Sequence, residues 1–144
     1  MMILGVCPSA NSAIWVLIDK GNNNVSEVGK IDYPATKDES QNLIDVLEYL
    51  KTFVVDKKVE LVCVHKATGG LHGASGMRFK IEGVIQICCR IRGVGCSLVS
   101  VQIKKQHVKF EKENGNDISI VLGNGAVLSS QGKKDAALIA WLGA

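Results

Sequence analysis

The sequence predicts an α/β domain built on a mixed five-stranded sheet with flanking helices. Three observations predict it. The opening holds three short apolar, β-branched runs separated by turn residues, the middle alternates helical periodicity with compact apolar runs of strand length, and the end returns to helical spacing. At 144 residues the chain is the size of one ordinary domain, so residues 1–144 are expected to fold as a single unit.

Met2 to Val6 is the first apolar run, Cys7-Pro8-Ser9-Ala10-Asn11-Ser12 breaks it, and Ala13 to Ile18 is the second, ending at Asp19. That pattern reads as a hairpin. Gly21-Asn22-Asn23-Asn24 tolerates left-handed backbone and supplies the next turn, after which Val25, Ile31 and Tyr33 mark a third strand closing at Pro34. The three strands form an antiparallel meander. A helix follows, capped by Thr36 or Asp38, with Asp38 and Glu39 at the positive end of its dipole. Leu43, Val46, Leu47, Leu50, Phe53 and Val54 recur three and four residues apart as its core-facing stripe, and Lys57 and Lys58 sit at its end. Val59 to Val64 is almost wholly apolar, as a strand covered on both faces should be.

Ala67 to Gly76 is a glycine-rich connection. A second helix starts near Ser75 with Met77, Ile81, Val84, Ile85 and Cys88 on one face, and Gly93 and Gly95 end it. Cys96 to Val101 is expected to be another buried strand, and Lys104, Lys105, Val108 and Phe110 to lie on a short helix. Glu111 to Asp117 is polar and expected to be mobile. Ile118–Leu122 and Ala126–Leu128 are expected to pair as a small hairpin around Gly123-Asn124-Gly125, and Lys133 to Leu142 closes the chain as a helix. A meander joined to two parallel strands through crossover helices is the ribonuclease H-like layout. Its active sites sit where the first strand, the fourth strand and the last helix converge.

Composition narrows the function classes. Hydrophobic residues are 47% and charged residues 22%, a globular mixture that rules out wholesale disorder. No apolar run reaches the roughly 18–20 residues that span a bilayer, so no membrane partner is expected. The opening lacks the charged region and long apolar core of a signal peptide, and the expected address is the cytoplasm. Five cysteines, an odd number without a CxxC pair, fit reduced thiols; Cys88 and Cys89 are adjacent on a helix and point about 100° apart. The net charge is +3, unevenly spread: residues 1–65 carry −3, residues 66–110 carry +7, and residues 111–144 carry −1. A basic middle third suits a face that meets an anion such as a nucleic-acid backbone.

Ile3-Leu4-Gly5-Val6-Cys7-Pro8-Ser9 resembles the opening strand of RuvC-type Holliday-junction resolvases, which reads roughly I-L-G-I-D-P-G. Leu61-Val62-Cys63-Val64-His65-Lys66 resembles their fourth strand, which ends in a catalytic Glu. Val101-Gln102-Ile103-Lys104-Lys105 resembles the stretch whose paired lysines lie close to DNA, and Lys134-Asp135-Ala136-Ala137-Leu138-Ile139-Ala140 resembles the opening of their final helix. Within this superfamily, Arg78 to Gln86 looks closest to small bacterial proteins of unassigned function.

The departures from the resemblance carry as much as the matches. Resolvases use carboxylates to hold two Mg²⁺ ions, which want oxygen ligands. The resemblance places Cys7 at the first-strand acid and His65 at the fourth-strand acid; only Asp135 keeps a carboxylate, and the acid one turn earlier falls near Gly132. A degenerate site of Cys7, His65 and Asp135 implies a pseudo-nuclease, a nucleic-acid-binding or accessory protein that contacts DNA or RNA through Lys66, Arg78, Lys80, Lys104 and Lys105. No cofactor is then expected.

Several alternatives stay open on the sequence. Cys7, His65 and Asp135 have the donor types of a zinc site, and Cys7 with His65 those of a nucleophilic pair. Gly69 to Gly76 leads into a helix N-terminus, which favours anions. An active nuclease would need Mg or Mn and a rearranged set of acids, drawn from Asp19 or Asp32. A protein-interaction module, a homodimer through an apolar helix, is the third reading. His72 and His107 are expected at the surface, and Trp15 and Trp141 in the core or at an interface.

Overall fold

A computed structural model describes residues 1–67 and 76–144. Strands β1 (Met2–Pro8), β2 (Ser12–Asp19) and β3 (Asn24–Asp32) form the antiparallel meander. Helix α1 (Glu39–Asp56) leads to β4 (Val59–His65), and α2 (Gly76–Arg92) to β5 (Gly95–Val99), both strands parallel to β1. The sheet order β3-β2-β1-β4-β5 puts β1 at the centre of a mixed five-stranded sheet. Helices α3 (Ile103–Asn114), α4 (Ile118–Val121) and α5 (Gln131–Gly143) complete the chain. No helix among the described residues is long and apolar enough to cross a membrane.

Strand alternation sorts the core into two layers. Leu4, Val6, Trp15, Leu17, Val62 and Val64 pack with Val46, Leu50, Ile81 and Ile85 of α1 and α2. Ile3, Val16, Ile18 and Cys63 point the other way, against Ala136 to Ala140 of α5. Burying each Leu, Ile or Val of these layers contributes about 1.5–3 kcal/mol. The α5 contact is close because residue 5 is glycine: a Cβ there would lie 2.0 Å from the Ala136 carbonyl oxygen. At the far end of the meander the Tyr33 hydroxyl accepts from the Ser9 N–H at 3.2 Å and lies 2.7 and 2.6 Å from the carbonyls of Ser9 and Ser12, to which it donates. That phenol ties the β1–β2 turn to β3.

The α1 cap is Asp38, whose carboxylate accepts from the Gln41 N–H at 3.0 Å. Three expectations are corrected. The last strand is Gly95–Val99 and lies at the sheet edge, which leaves Cys96 and Leu98 exposed instead of buried. Helix α3 runs on through Glu111 to Asn114 and stops at Gly115 in the left-handed conformation, φ 83°. Its inward stripe is Ile103, His107 and Phe110, at four- and three-residue spacing, and Val108 is 58% exposed. Residues 118–128 form no hairpin. The Asp117 carboxylate accepts from the Ser119 N–H at 2.9 Å and starts α4, a single 3₁₀ turn follows at Gly125–Val127, and a Cβ on Gly125 would meet the Ser119 carbonyl at 1.9 Å. The loop folds onto itself too tightly for a strand pair. Residues 68–75, which include Gly69, Gly70, His72 and Gly73 and the anion contact expected of them, lie outside the described residues.

Candidate nucleic-acid site at the ends of the central strands

Parallel pairing of β1 and β4 runs through Val6 and Val64, so Cys7 and His65 follow at the same level, at the carboxyl ends of neighbouring strands. Their side chains fall on the α5 face by alternation. The close β1–α5 approach at Gly5 brings the first turns of α5 over this edge, and Asp135 acts electrostatically on the Cys7 thiol. The three residues therefore come to one end of the sheet.

Each of the three is engaged by its surroundings. Burial, with a further push from Asp135 and opposed by Arg78, brings the Cys7 thiol up to about 12, so the group stays a neutral thiol at ordinary pH. A thiol held protonated is a poor nucleophile and a poor metal ligand. His65 spends both ring nitrogens: Nε2–H donates to the Val101 carbonyl at 3.2 Å, which leaves Nδ1 to accept from Arg78 Nη2 at 3.4 Å. The same guanidinium donates to the His65 carbonyl at 3.2 Å. Among the described residues no three or more His, Cys, Asp or Glu side chains are grouped to hold a metal ion.

Asp135 has partners that the sequence did not announce. Its Oδ1 accepts from His107 Nε2 at 2.7 Å and from Gln131 Nε2 at 2.9 Å. Gln131 is one turn upstream on α5, and His107 arrives from α3 as part of its inward stripe, so it is half-buried and not the surface group expected. With Ile103 and Lys104 these three line a cleft of about 340 Å³. The spacing of Ile103, His107 and Phe110 is the sequence signal for the histidine.

The basic residues divide. Lys104 lines the cleft, Lys105 is exposed beside it, and the Lys66 backbone N–H is fixed to the Val99 carbonyl at 2.9 Å, with its side chain exposed at the end of β4. Arg78 reaches over His65 from the first turn of α2. Lys80 instead pairs with Glu39 at the start of α1, in the opposite layer. A buried carboxylate, Glu82, accepts from the Ala67 N–H at 2.9 Å and fixes the exit of β4. The spare acids are elsewhere. Asp19 pairs with Met2 at the opposite end of the sheet, its oxygens taken by Gly21 and Asn22. Asp32 is on edge strand β3, 3.3 Å from Lys30.

The profile of a protein family described as "Protein of unknown function (DUF3010)" matches residues 1–120. The chain belongs to the DUF3010 family. Among solved structures this DUF3010 protein is similar to T. thermophilus RuvC in complex with a Holliday junction substrate, at 11% identity and TM-score 0.73 over 97% of this chain and 90% of that one. A second Thermus thermophilus RuvC structure gives 9% identity and TM-score 0.70 over 97% and 91%. The Fowlpox virus resolvase, also solved with Holliday junction DNA, gives 14% identity and TM-score 0.51 over 99% and 93%. At these identities the likeness establishes the ribonuclease H-like fold of the DUF3010 protein. No curated protein sequence matches it.

Proposed function

We propose that the chain is a nucleic-acid-binding or accessory protein, a small bacterial RuvC-like protein of the cytoplasm, in which the site no longer organises two hard cations. The observation that carries this reading is the state of Asp135: its carboxylate already accepts from His107 and Gln131, and Arg78 and Lys104 bring positive charge to the same end of the sheet. Two magnesium ions need several shared oxygen ligands. Cations and hydrogen-bond donors with one committed carboxylate are the chemistry of a phosphodiester contact, which positions nucleic acid without reading its sequence. Lys66 and Lys105 extend the contact, and Lys80 joins only on release from Glu39. The solved RuvC and poxvirus resolvase complexes hold Holliday junctions, which supports a branched DNA as the first substrate to test.

The test is fluorescence anisotropy of a labelled four-way junction and a labelled duplex, in EDTA, as salt is raised. About four phosphate contacts give roughly a hundredfold loss of affinity for a fourfold rise in salt. Lys104→Gln with Lys105→Gln should lower the salt slope by about two. Failure of both DNAs to bind at low ionic strength refutes the reading. Cleavage with Mg²⁺ or Mn²⁺ that Asp135→Asn abolishes would establish a nuclease in its place.

A further inference from the structure

Two cysteines meet where α2 turns into the edge strand β5, on the face of the sheet opposite the Asp135 cleft. Cys89 is in the last turn of α2, its carbonyl accepting from the Val94 N–H at 2.9 Å. Gly93, left-handed at φ 66°, ends the helix there. Cys96 is the second residue of β5 and pairs with Val62, whose side chain belongs to the core layer of α1 and α2. Paired residues of neighbouring strands share a face, so the Cys96 thiol is on the α2 side and Cys63, one register position on, is on the α5 side. Cys89 and Cys96 line one cavity of about 330 Å³ with Gln86, Arg90, Val94 and Leu98.

The two thiols are placed unequally. Cys89 is 2% exposed, whereas Cys96 is open to solvent. The Cys89 S–H donates to the Cys96 sulfur, which lowers the Cys96 thiol against the opposing effects of burial and Glu82. The same bond, with burial, raises Cys89. Thiolate is the reactive form of cysteine, so the exposed member meets reagents and the shielded one stands behind it. Cys7, Cys63 and Cys88 lack this arrangement, and burial raises all three.

We infer that Cys96 and Cys89 form a reversible oxidation site for hydroperoxides, with Cys96 as the attacking thiol and Cys89 as the resolving one. The Cys96 thiolate attacks the hydroxyl oxygen of the hydroperoxide. An S–O bond forms, the O–O bond breaks, and the leaving hydroxide or alkoxide takes a proton from solvent. The Cys89 sulfur then attacks the sulfenic sulfur of Cys96, and hydroxide leaves with the Cys89 proton as water. In sum the two thiols give up two electrons and two protons, and the peroxide is reduced to water and an alcohol or a second water. The disulfide spans the Gly93–Gly95 turn and fastens α2 to the edge strand.

The test treats the reduced full chain with hydrogen peroxide, blocks remaining thiols with N-ethylmaleimide, and maps the tryptic peptides by mass spectrometry. The expected product is a disulfide within one chain between peptides 81–90 and 93–104, reversed by dithiothreitol. Fragmentation of the linked pair distinguishes Cys89 from Cys88 in the parent protein, without a variant that must fold. Cys88→Ser should keep the link. Cys89→Ser or Cys89→Ala should lose it and leave Cys96 as a sulfenic acid that dimedone traps. Alkylation of Cys96 should be about tenfold faster than that of Cys7, Cys63 or Cys88, with a pH midpoint below 9.0. A link through Cys88, a Cys96–Cys96 link between chains, or Cys96 left unmodified at millimolar peroxide would overturn the assignment.

Discussion

Replacing Gly5 by alanine perturbs the contact that sets Asp135 over the central strand. The added Cβ would lie 2.0 Å from the Ala136 carbonyl oxygen and 2.9 Å from both the backbone nitrogen and the Cβ of Ala140, where ordinary contact begins near 3.4 Å. Backbone cannot rotate away as a side chain can, so α5 must withdraw by more than an ångström. Residues 136 to 140 are all buried, and withdrawal loosens every one of those contacts. Overpacking of this kind costs about 1–3 kcal/mol or more, offset by about 0.4–1 kcal/mol from the stiffer unfolded chain. Against a total stability of about 5–15 kcal/mol, the urea midpoint should fall clearly with an unchanged slope. Gly83→Ala is the matched control: it lies inside α2 with nothing within 4 Å of an added Cβ, and should stabilise by about 0.5–1 kcal/mol. A Gly5→Ala midpoint equal to or above that of the parent would refute the packing argument.

Tyr33→Phe removes the phenol that serves Ser9 and Ser12, and should lower stability by about 1–3 kcal/mol in the same urea assay; a change under about 0.5 kcal/mol would mean the turn holds itself. Alkaline pH should also weaken the fold. Burial raises the Cys7 and Cys63 thiols from 9.0, and the Tyr33 phenol from 10.0, all to about 12. These groups ionise first in the unfolded chain, so the stability they contribute is intact below about pH 9 and is lost as pH climbs from there to about 12. A urea midpoint as high at pH 11 as at pH 8 would contradict this. Asp135→Asn removes the negative charge from the candidate DNA site and should tighten junction binding by about two- to fivefold, read by anisotropy; weaker binding would show the carboxylate itself to be needed.

The fold was legible where local pattern and tertiary demand agree. Val46, Leu50, Phe53 and Val54 of α1 announce a buried stripe and are buried, and the runs Met2–Val6 and Ala13–Ile18 become paired strands whose alternation divides the two core layers. The order of elements was enough to bring Cys7 and His65 to one level. Long-range partners left weaker traces. Nothing local joins His107 to Asp135, 28 residues away, and α3 is so polar that Val108 competes with Ile103, His107 and Phe110 for the inward face. Residues 118–128 have the apolar content of strands, but Asp117 is a helix cap and Gly125 admits the Ser119 backbone, and those two side-chain choices decide the conformation. The buried look of Cys96 to Val101 holds at Val99 and fails at Cys96 and Leu98, on a strand that lies at the sheet edge.

The question of two hard cations is most directly settled by titrating Mn²⁺ into ¹⁵N-labelled protein and following paramagnetic broadening residue by residue. With the carboxylate of Asp135 engaged by His107 and Gln131 and positive charge beside it, the expected result is no saturable broadening at Cys7, His65 or Asp135 beyond that of other exposed carboxylates. Saturable broadening centred on those three residues, complete at two equivalents of metal, would contradict the proposal and restore a two-metal site.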